Sequence, residues 1–73
     1  MNRIHYTKPE IEAILSVVNF VDIEEDVFIG KWKKKTTKEL TFQINKSEAT
    51  INRAFKSALI KVKDAYDRNL IKF

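Results

Sequence analysis

The sequence contains no cysteine, and only one glycine and one proline among its 73 residues. Without cysteine, neither a disulfide framework nor a thiolate metal site can hold the fold together, and a reducing compartment is expected. So little glycine and proline argues against the many tight turns of an all-β domain. We therefore expect one all-α domain over residues 1–73, located in the cytoplasm.

Long hydrophobic runs are also missing from the chain. The longest apolar stretch, residues 13–20, is interrupted by Ser16 and Asn19 and is too short to cross a bilayer. No secretory hydrophobic region follows the basic start. A basic amphipathic helix on a membrane surface fits poorly, because Asp64 and Asp67 interrupt the cationic face, so no membrane partner is expected. His5 has neither a second histidine nor a cysteine to share a metal with, and no nucleophile with its base or glycine-rich phosphate loop is visible. The sequence therefore predicts no metal, no cofactor and no enzyme activity.

The charges divide the chain into two unlike halves. Up to Ile29, two basic residues oppose six acidic ones, which gives −4, whereas from Gly30 onward twelve basic residues oppose four acidic ones, which gives +8. A basic half of this kind favours an acidic partner, of which nucleic acid is the commonest.

Four helices are predicted, each opened by a residue that can cap it: Thr7, Asp22, Thr36 and Ser47. Thr7, Asp22 and Thr36 are each followed by glutamate at the third position, the pattern of a capping box. The first helix should cover about residues 8–20 and the second about residues 23–34. The fourth should reach Tyr66 or beyond.

The fourth helix carries one continuous apolar stripe, spaced four, three, four and three: Ile51, Phe55, Ala58, Val62 and Ala65. Beyond it, Leu70, Ile71 and Phe73 are available to close the core of the monomer or to form a homodimer. A different structure remains open for residues 40–44, where apolar and polar residues alternate as in a strand. That alternative is a hairpin formed by residues 27–32 and 40–44.

A short helix, a turn at residues 45–46 and a longer helix with polar and basic residues near its start form the layout of a helix-turn-helix motif. The motif would cover about residues 36–63. Asparagine suits the turn because it tolerates left-handed backbone better than other non-glycine residues.

Several residues of this segment resemble the pattern of sigma-factor region 4 and of LuxR/GerE-type effector domains: Glu39, Leu40, Ile44, Ser47, Thr50, Ile51, Arg53, Ala58, Leu59, Lys61 and Val62. The extra helix precedes the motif, so the layout is closest to sigma region 4 and to small phage regulators of the RinA and ArpU type. The resemblance implies a compact four-helix domain that regulates transcription, with a recognition helix beginning at Ser47. Since no segment like sigma region 2 is present, an adaptor or regulator is expected rather than a whole sigma factor.

Double-stranded DNA is the predicted partner, and the candidate contact residues are Lys34, Lys35, Lys38, Lys46, Ser47, Glu48, Asn52, Arg53, Lys56 and Lys61. Arginine and asparagine side chains can contact base edges, whereas lysine more often binds a phosphate. A solvated helix face would show a similar pattern. The rival hypothesis is a small interaction module that binds RNA polymerase or another regulator through the acidic face from Asp22 to Asp26.

Overall fold

The computed structural model describes residues 6–71. These residues form four α-helices and no strand: α1 (Lys8–Val17), α2 (Glu24–Trp32), α3 (Thr37–Ile44) and α4 (Glu48–Asp67). The predicted all-α class and the number of helices are confirmed for this part of the chain. His5 and Phe73 lie outside the described residues, so the expectations about them remain predictions.

Two of the helices begin with the predicted capping boxes. The Thr36 side chain accepts a hydrogen bond from the Glu39 N–H, and the Glu39 carboxylate accepts one from the Thr36 N–H, at 3.1 and 2.9 Å. Thr7 and Glu10 exchange the same pair of bonds before α1. The bonds from Thr36 hold the pKa of the Glu39 carboxyl below its ordinary value.

The predicted cap of the second helix is wrong. Asp22 has a left-handed backbone with φ of 52°, Ile23 occupies the N-cap position, and no side chain caps α2 there. Instead, the Glu24 carboxylate accepts a hydrogen bond from the Val21 N–H at 3.0 Å. The turn before α2 is therefore closed by Glu24, a side chain that also bonds to α4, as described below.

The first two helices end earlier than the predicted limits of residues 20 and 34. Val18 is already extended, and its buried side chain joins the core. After Trp32 the chain closes α2 with a left-handed Lys34, whose N–H donates to the Lys31 carbonyl, while the Lys35 N–H donates to the Gly30 carbonyl. These two bonds form a Schellman motif, which stops the helix and turns the chain toward α3.

The alternative hairpin is wrong, because residues 27–32 lie in α2 and residues 40–44 lie in α3. Leu40 and Ile44 are four residues apart, so a helix places both on one face, and Leu40 is fully buried. Phe42, which the strand pattern would group with them, is 78% exposed.

The core confirms the predicted stripe of α4, since all five of its side chains are buried against α2, α3 and residues of α1. The only glycine of the chain, Gly30, lies in α2 where α3 crosses it. A Cβ at this position would lie 2.5 Å from the Leu40 Cδ2 atom, so the missing side chain of Gly30 leaves the space that the Leu40 side chain fills.

Both ends of the described chain fold back onto the helices. Trp32 is half-buried, and its Nε1 donates to the Tyr6 carbonyl at 2.7 Å, which ties the segment before α1 to the end of α2. After α4, a left-handed Asn69 closes a second Schellman motif. Ile71 then returns to the core, as predicted, whereas Leu70 remains exposed.

Candidate nucleic-acid interface

Three residues, 45–47, connect α3 to α4. Asn45 has the left-handed backbone that the sequence predicted, with φ of 63°, and its N–H donates to the Thr41 carbonyl. Ser47 caps α4, because its hydroxyl accepts a hydrogen bond from the Thr50 N–H at 3.2 Å. The direction in which α4 leaves α3 is thus fixed by local bonds at both ends of the connection.

The first two turns of α4 have a buried side and an exposed side. Ile51 and Phe55 face the core, whereas Asn52, Arg53 and Lys56 are exposed, as the stripe predicted. Glu48 is exposed in the first turn, directly after the cap. This exposed side therefore offers hydrogen-bond donors and acceptors at the N-terminal end of a long helix.

One of these side chains is held by a network that the sequence analysis missed. The Thr37 hydroxyl donates to the Asn52 Oδ1 atom at 3.4 Å, and the Lys31 ammonium donates to the same hydroxyl at 2.7 Å. The ammonium also lies 5.5 Å from the centre of the Phe55 ring. Because these residues come from α2, α3 and α4, no spacing within one helix signals their contact.

Four of the predicted lysines lie on the segments that flank this surface. Lys34, Lys38 and Lys46 are exposed, at the joint between α2 and α3, in the first turn of α3 and in the connection to α4. Lys35 is half-buried, and its ammonium donates to the Gln43 Oε1 atom. No opposite charge pairs with these four lysines among the ion pairs of residues 6–71.

Lys61, the tenth predicted contact residue, has a different environment. Its ammonium lies 2.6 Å from the Glu24 Oε1 atom and donates to the Asn19 carbonyl at 3.1 Å. The side chain is one third exposed and joins α4 to the start of α2. Lys61 therefore stabilises the contact between these helices and does not belong to the exposed cluster.

Glu24 is the centre of that contact and the one buried charged side chain among the described residues. Besides Lys61 and the Val21 N–H, its carboxylate accepts a hydrogen bond from the Ser57 hydroxyl at 2.6 Å. Burial by itself would raise the pKa of Glu24, but the bonds from Lys61, Ser57 and Val21 and the charge of Lys61 outweigh it and hold the pKa below its ordinary value. The carboxylate is thus charged and fully partnered.

The position of Glu24 also reduces the acidic face, from Asp22 to Asp26, that the rival hypothesis assigns to a protein partner. Asp22, Glu25 and Asp26 are exposed, but the Glu24 carboxylate points toward α4 and is not accessible to a partner. The exposed acidic face therefore consists of three carboxylates rather than four.

The described residues provide neither a metal site nor a membrane-spanning helix. Within residues 6–71, no group of three histidine, cysteine or acidic side chains is placed to hold a metal ion. None of the four helices combines the length and the apolar character that spanning a membrane requires. No family model, no curated protein and no solved structure matches this chain.

Proposed function

We propose that α3 and α4 form a helix-turn-helix unit that binds duplex DNA in a sequence-specific manner, with the N-terminal part of α4 in the major groove. The observation that carries this proposal is the exposed side of α4, where Asn52, Arg53 and Lys56 follow a capped helix start. A helix entering the major groove contacts base edges with the residues of its first turns. The positive end of its macrodipole also favours nearby phosphates.

The side chains of this surface suit different contacts. Arg53 can bind the O6 and N7 atoms of guanine with two parallel hydrogen bonds, and Glu48 can accept from the N4 amino group of cytosine. Asn52 offers its Nδ2 amino group, because its Oδ1 atom accepts the bond from Thr37. With α4 in the major groove, the Lys56 ammonium and the Ser47 hydroxyl would bind phosphates of the DNA backbone.

The flanking lysines would supply the contacts that do not depend on sequence. Lys34 and Lys35 precede α3, Lys38 lies in its first turn and Lys46 lies in the connection to α4, and none of the four forms an ion pair within the described residues. Binding to phosphates releases counterions, so these residues should make the affinity fall with salt. We infer a non-catalytic transcriptional regulator of the cytoplasm, in line with the resemblance to sigma region 4 and to small phage regulators.

The test is a titration of the protein against a site selected from random duplex DNA and against a scrambled duplex, at two salt concentrations. Arg53→Ala should weaken the binding free energy at the selected site by roughly 1 to 3 kcal/mol, and it should reduce the base preference at one position of the site. Lys34→Ala should weaken binding to both duplexes alike and reduce the salt slope by about one. Lys63→Ala is the control, since Lys63 is 80% exposed and lies seven residues after Lys56, about 10 Å further along α4. If wild-type protein binds no selected site more tightly than the scrambled duplex, the proposal of sequence-specific binding is wrong.

The alternative function is an interaction module that binds RNA polymerase or another regulator through the acidic face. This alternative has less support, because only Asp22, Glu25 and Asp26 are exposed there. Reversing the charges of Glu25 and Asp26 separates the two hypotheses. The reversal should leave binding to the selected duplex intact if DNA is the partner, and it should abolish a protein contact if the alternative holds.

A further inference from the structure

A groove on the side of the molecule formed by the C-terminal half of α4 contains most of the large apolar side chains that are exposed among the described residues. Five large apolar side chains are exposed among the described residues, and four of them line this groove: Val17, Val21, Ile60 and Leu70. The fifth, Phe42, lies on α3, outside the groove. Scattered single apolar residues are normal on a protein surface, but a cluster of this kind is typical of an interaction site.

The charges of the groove indicate what kind of partner would fit. Its rim carries Asp64 and Arg68, which lie one helical turn apart and form an exposed ion pair with 3.1 Å between Nε and Oδ2. Lys61 also lines the groove, but Glu24 neutralises it. With both signs present in near balance, the groove suits neither a nucleic acid nor an anionic lipid surface, each of which requires a basic surface. A protein surface with apolar centre and mixed charges fits better.

We propose that this groove is the interface of a homodimer, in which a second copy of the chain is bound around a two-fold axis. In a two-fold interface the same surface is used twice, so a residue that contacts a partner residue also receives the reciprocal contact. Asp64 and Arg68 have opposite charges on one helix face, so Asp64 of each copy can pair with Arg68 of the other. The apolar side chains of Val17, Val21, Ile60 and Leu70 would be buried between the copies.

The homodimer goes beyond DNA binding and does not depend on it, because self-association is measured without DNA. Ile60 lies eight residues after Asn52, which corresponds to about 12 Å along a helix. Ile60 and Val21 also line depressions that contain Lys56 and Arg53, so the groove borders the exposed side of the first turns of α4, the surface proposed to bind DNA. A dimer that binds DNA would present two such surfaces, as needed for a site with two half-sites.

Sedimentation equilibrium over a range of protein concentrations tests the homodimer. Wild-type protein should show a concentration-dependent rise in mass from monomer to dimer. Ile60→Glu should raise the dissociation constant by at least about tenfold, because a charge would then be buried in the interface. Phe42→Glu is the matched control, since it exchanges an exposed apolar side chain for the same charge outside the groove, and it should dimerise as the wild type does.

A pair of charge variants tests the two-fold arrangement itself. Asp64→Arg and Arg68→Asp should each weaken the homodimer, because each variant brings like charges together at both pairing sites. An equimolar mixture should associate again, since every pairing then joins opposite charges. A loss of folding cannot mimic this result, because a poorly folded variant would not be restored by mixing.

Three results would overturn the proposal: a wild-type protein that stays monomeric at all concentrations, an equal effect of Ile60→Glu and Phe42→Glu, or a mixture of the charge variants that remains monomeric. A monomeric protein whose Ile60 NMR signals change when Lys72 and Phe73 are removed would assign the groove to the chain's own C-terminal residues instead.

Discussion

The contact between Glu24 and Lys61 predicts a specific loss of stability when the lysine is replaced. Lys61→Met removes the ammonium but keeps most of the apolar stem, so the change removes the charge-assisted hydrogen bond to Glu24 at 2.6 Å together with the bond to the Asn19 carbonyl at 3.1 Å. Breaking a fully buried ion pair costs about 3 to 5 kcal/mol, whereas a hydrogen bond to a charged group contributes about 1.5 to 3 kcal/mol. Lys61 is one third exposed, so solvent screens the pair, and we expect a loss of about 1 to 3 kcal/mol.

Urea denaturation followed by the fluorescence of Trp32, the single tryptophan, measures this loss without screening the charges by added salt. Lys63→Met is the control, because Lys63 is 80% exposed and its pair with Asp67 is long, at 3.5 Å. Exposed pairs of this kind contribute about 0 to 1 kcal/mol, so the control should stay close to the wild type.

The pH dependence provides a second readout of the same contact. The pKa of Glu24 is lowered in the folded protein, so its contribution to stability is present above the ordinary pKa and is lost as the pH falls through the folded pKa. The difference in stability between wild type and Lys61→Met should therefore shrink on acidification, because a protonated Glu24 no longer attracts the ammonium. A difference that stays constant from neutral to acid pH, or a Lys61→Met variant as stable as the control, would refute the reasoning.

Three further predictions concern the helices. Phe55→Ala should lower the free energy of unfolding, measured by urea denaturation, by about 3 to 5 kcal/mol, because its side chain is buried. Lys56→Ala should change it by less than about 0.5 kcal/mol, because Lys56 is exposed. A larger loss for Lys56→Ala than for Phe55→Ala would contradict the assigned buried face of α4. Lys34→Gly should stabilise the protein by about 1 kcal/mol because the left-handed backbone strains a side chain, whereas Lys34→Ala should bring no gain; equal stabilities of the two variants would contradict the Schellman motif. Gly30→Ala should lower the midpoint of thermal unfolding, because the added Cβ would clash with the Leu40 side chain. The loss is expected even though alanine is more favourable than glycine within a helix by about 1 kcal/mol. In a Leu40→Ala background the same change should be stabilising. A loss of stability in both backgrounds would contradict the contact between position 30 and the Leu40 side chain.

Much of the local structure could be predicted because its signals lie within one turn of chain. Thr36 and Glu39 bond across three residues, Ser47 caps α4 by the same rule, and the stripe that contains Ile51 and Phe55 is set by the helical repeat alone. The exposure of Asn52, Arg53 and Lys56 followed from that stripe, because side chains off a buried face point to solvent.

Tertiary contacts decided the features that connect distant positions. The strand-like alternation of residues 40–44 was resolved in favour of a helix once Leu40 could be buried against Gly30 of α2. Asp22 has the chemistry of a cap, yet Glu24 closes that turn, because its carboxylate also binds Ser57 and Lys61, 33 and 37 residues away. The sequence predicted that Lys61 contacts phosphate, because nothing in α4 itself indicates that Lys61 binds the buried carboxylate of Glu24. The sequence by itself determined the starts of α1, α3 and α4 and the buried face of α4, because these signals are local. Only the packing of the helices decided which charged groups bind each other and which remain exposed to a partner, because those groups lie far apart in the sequence.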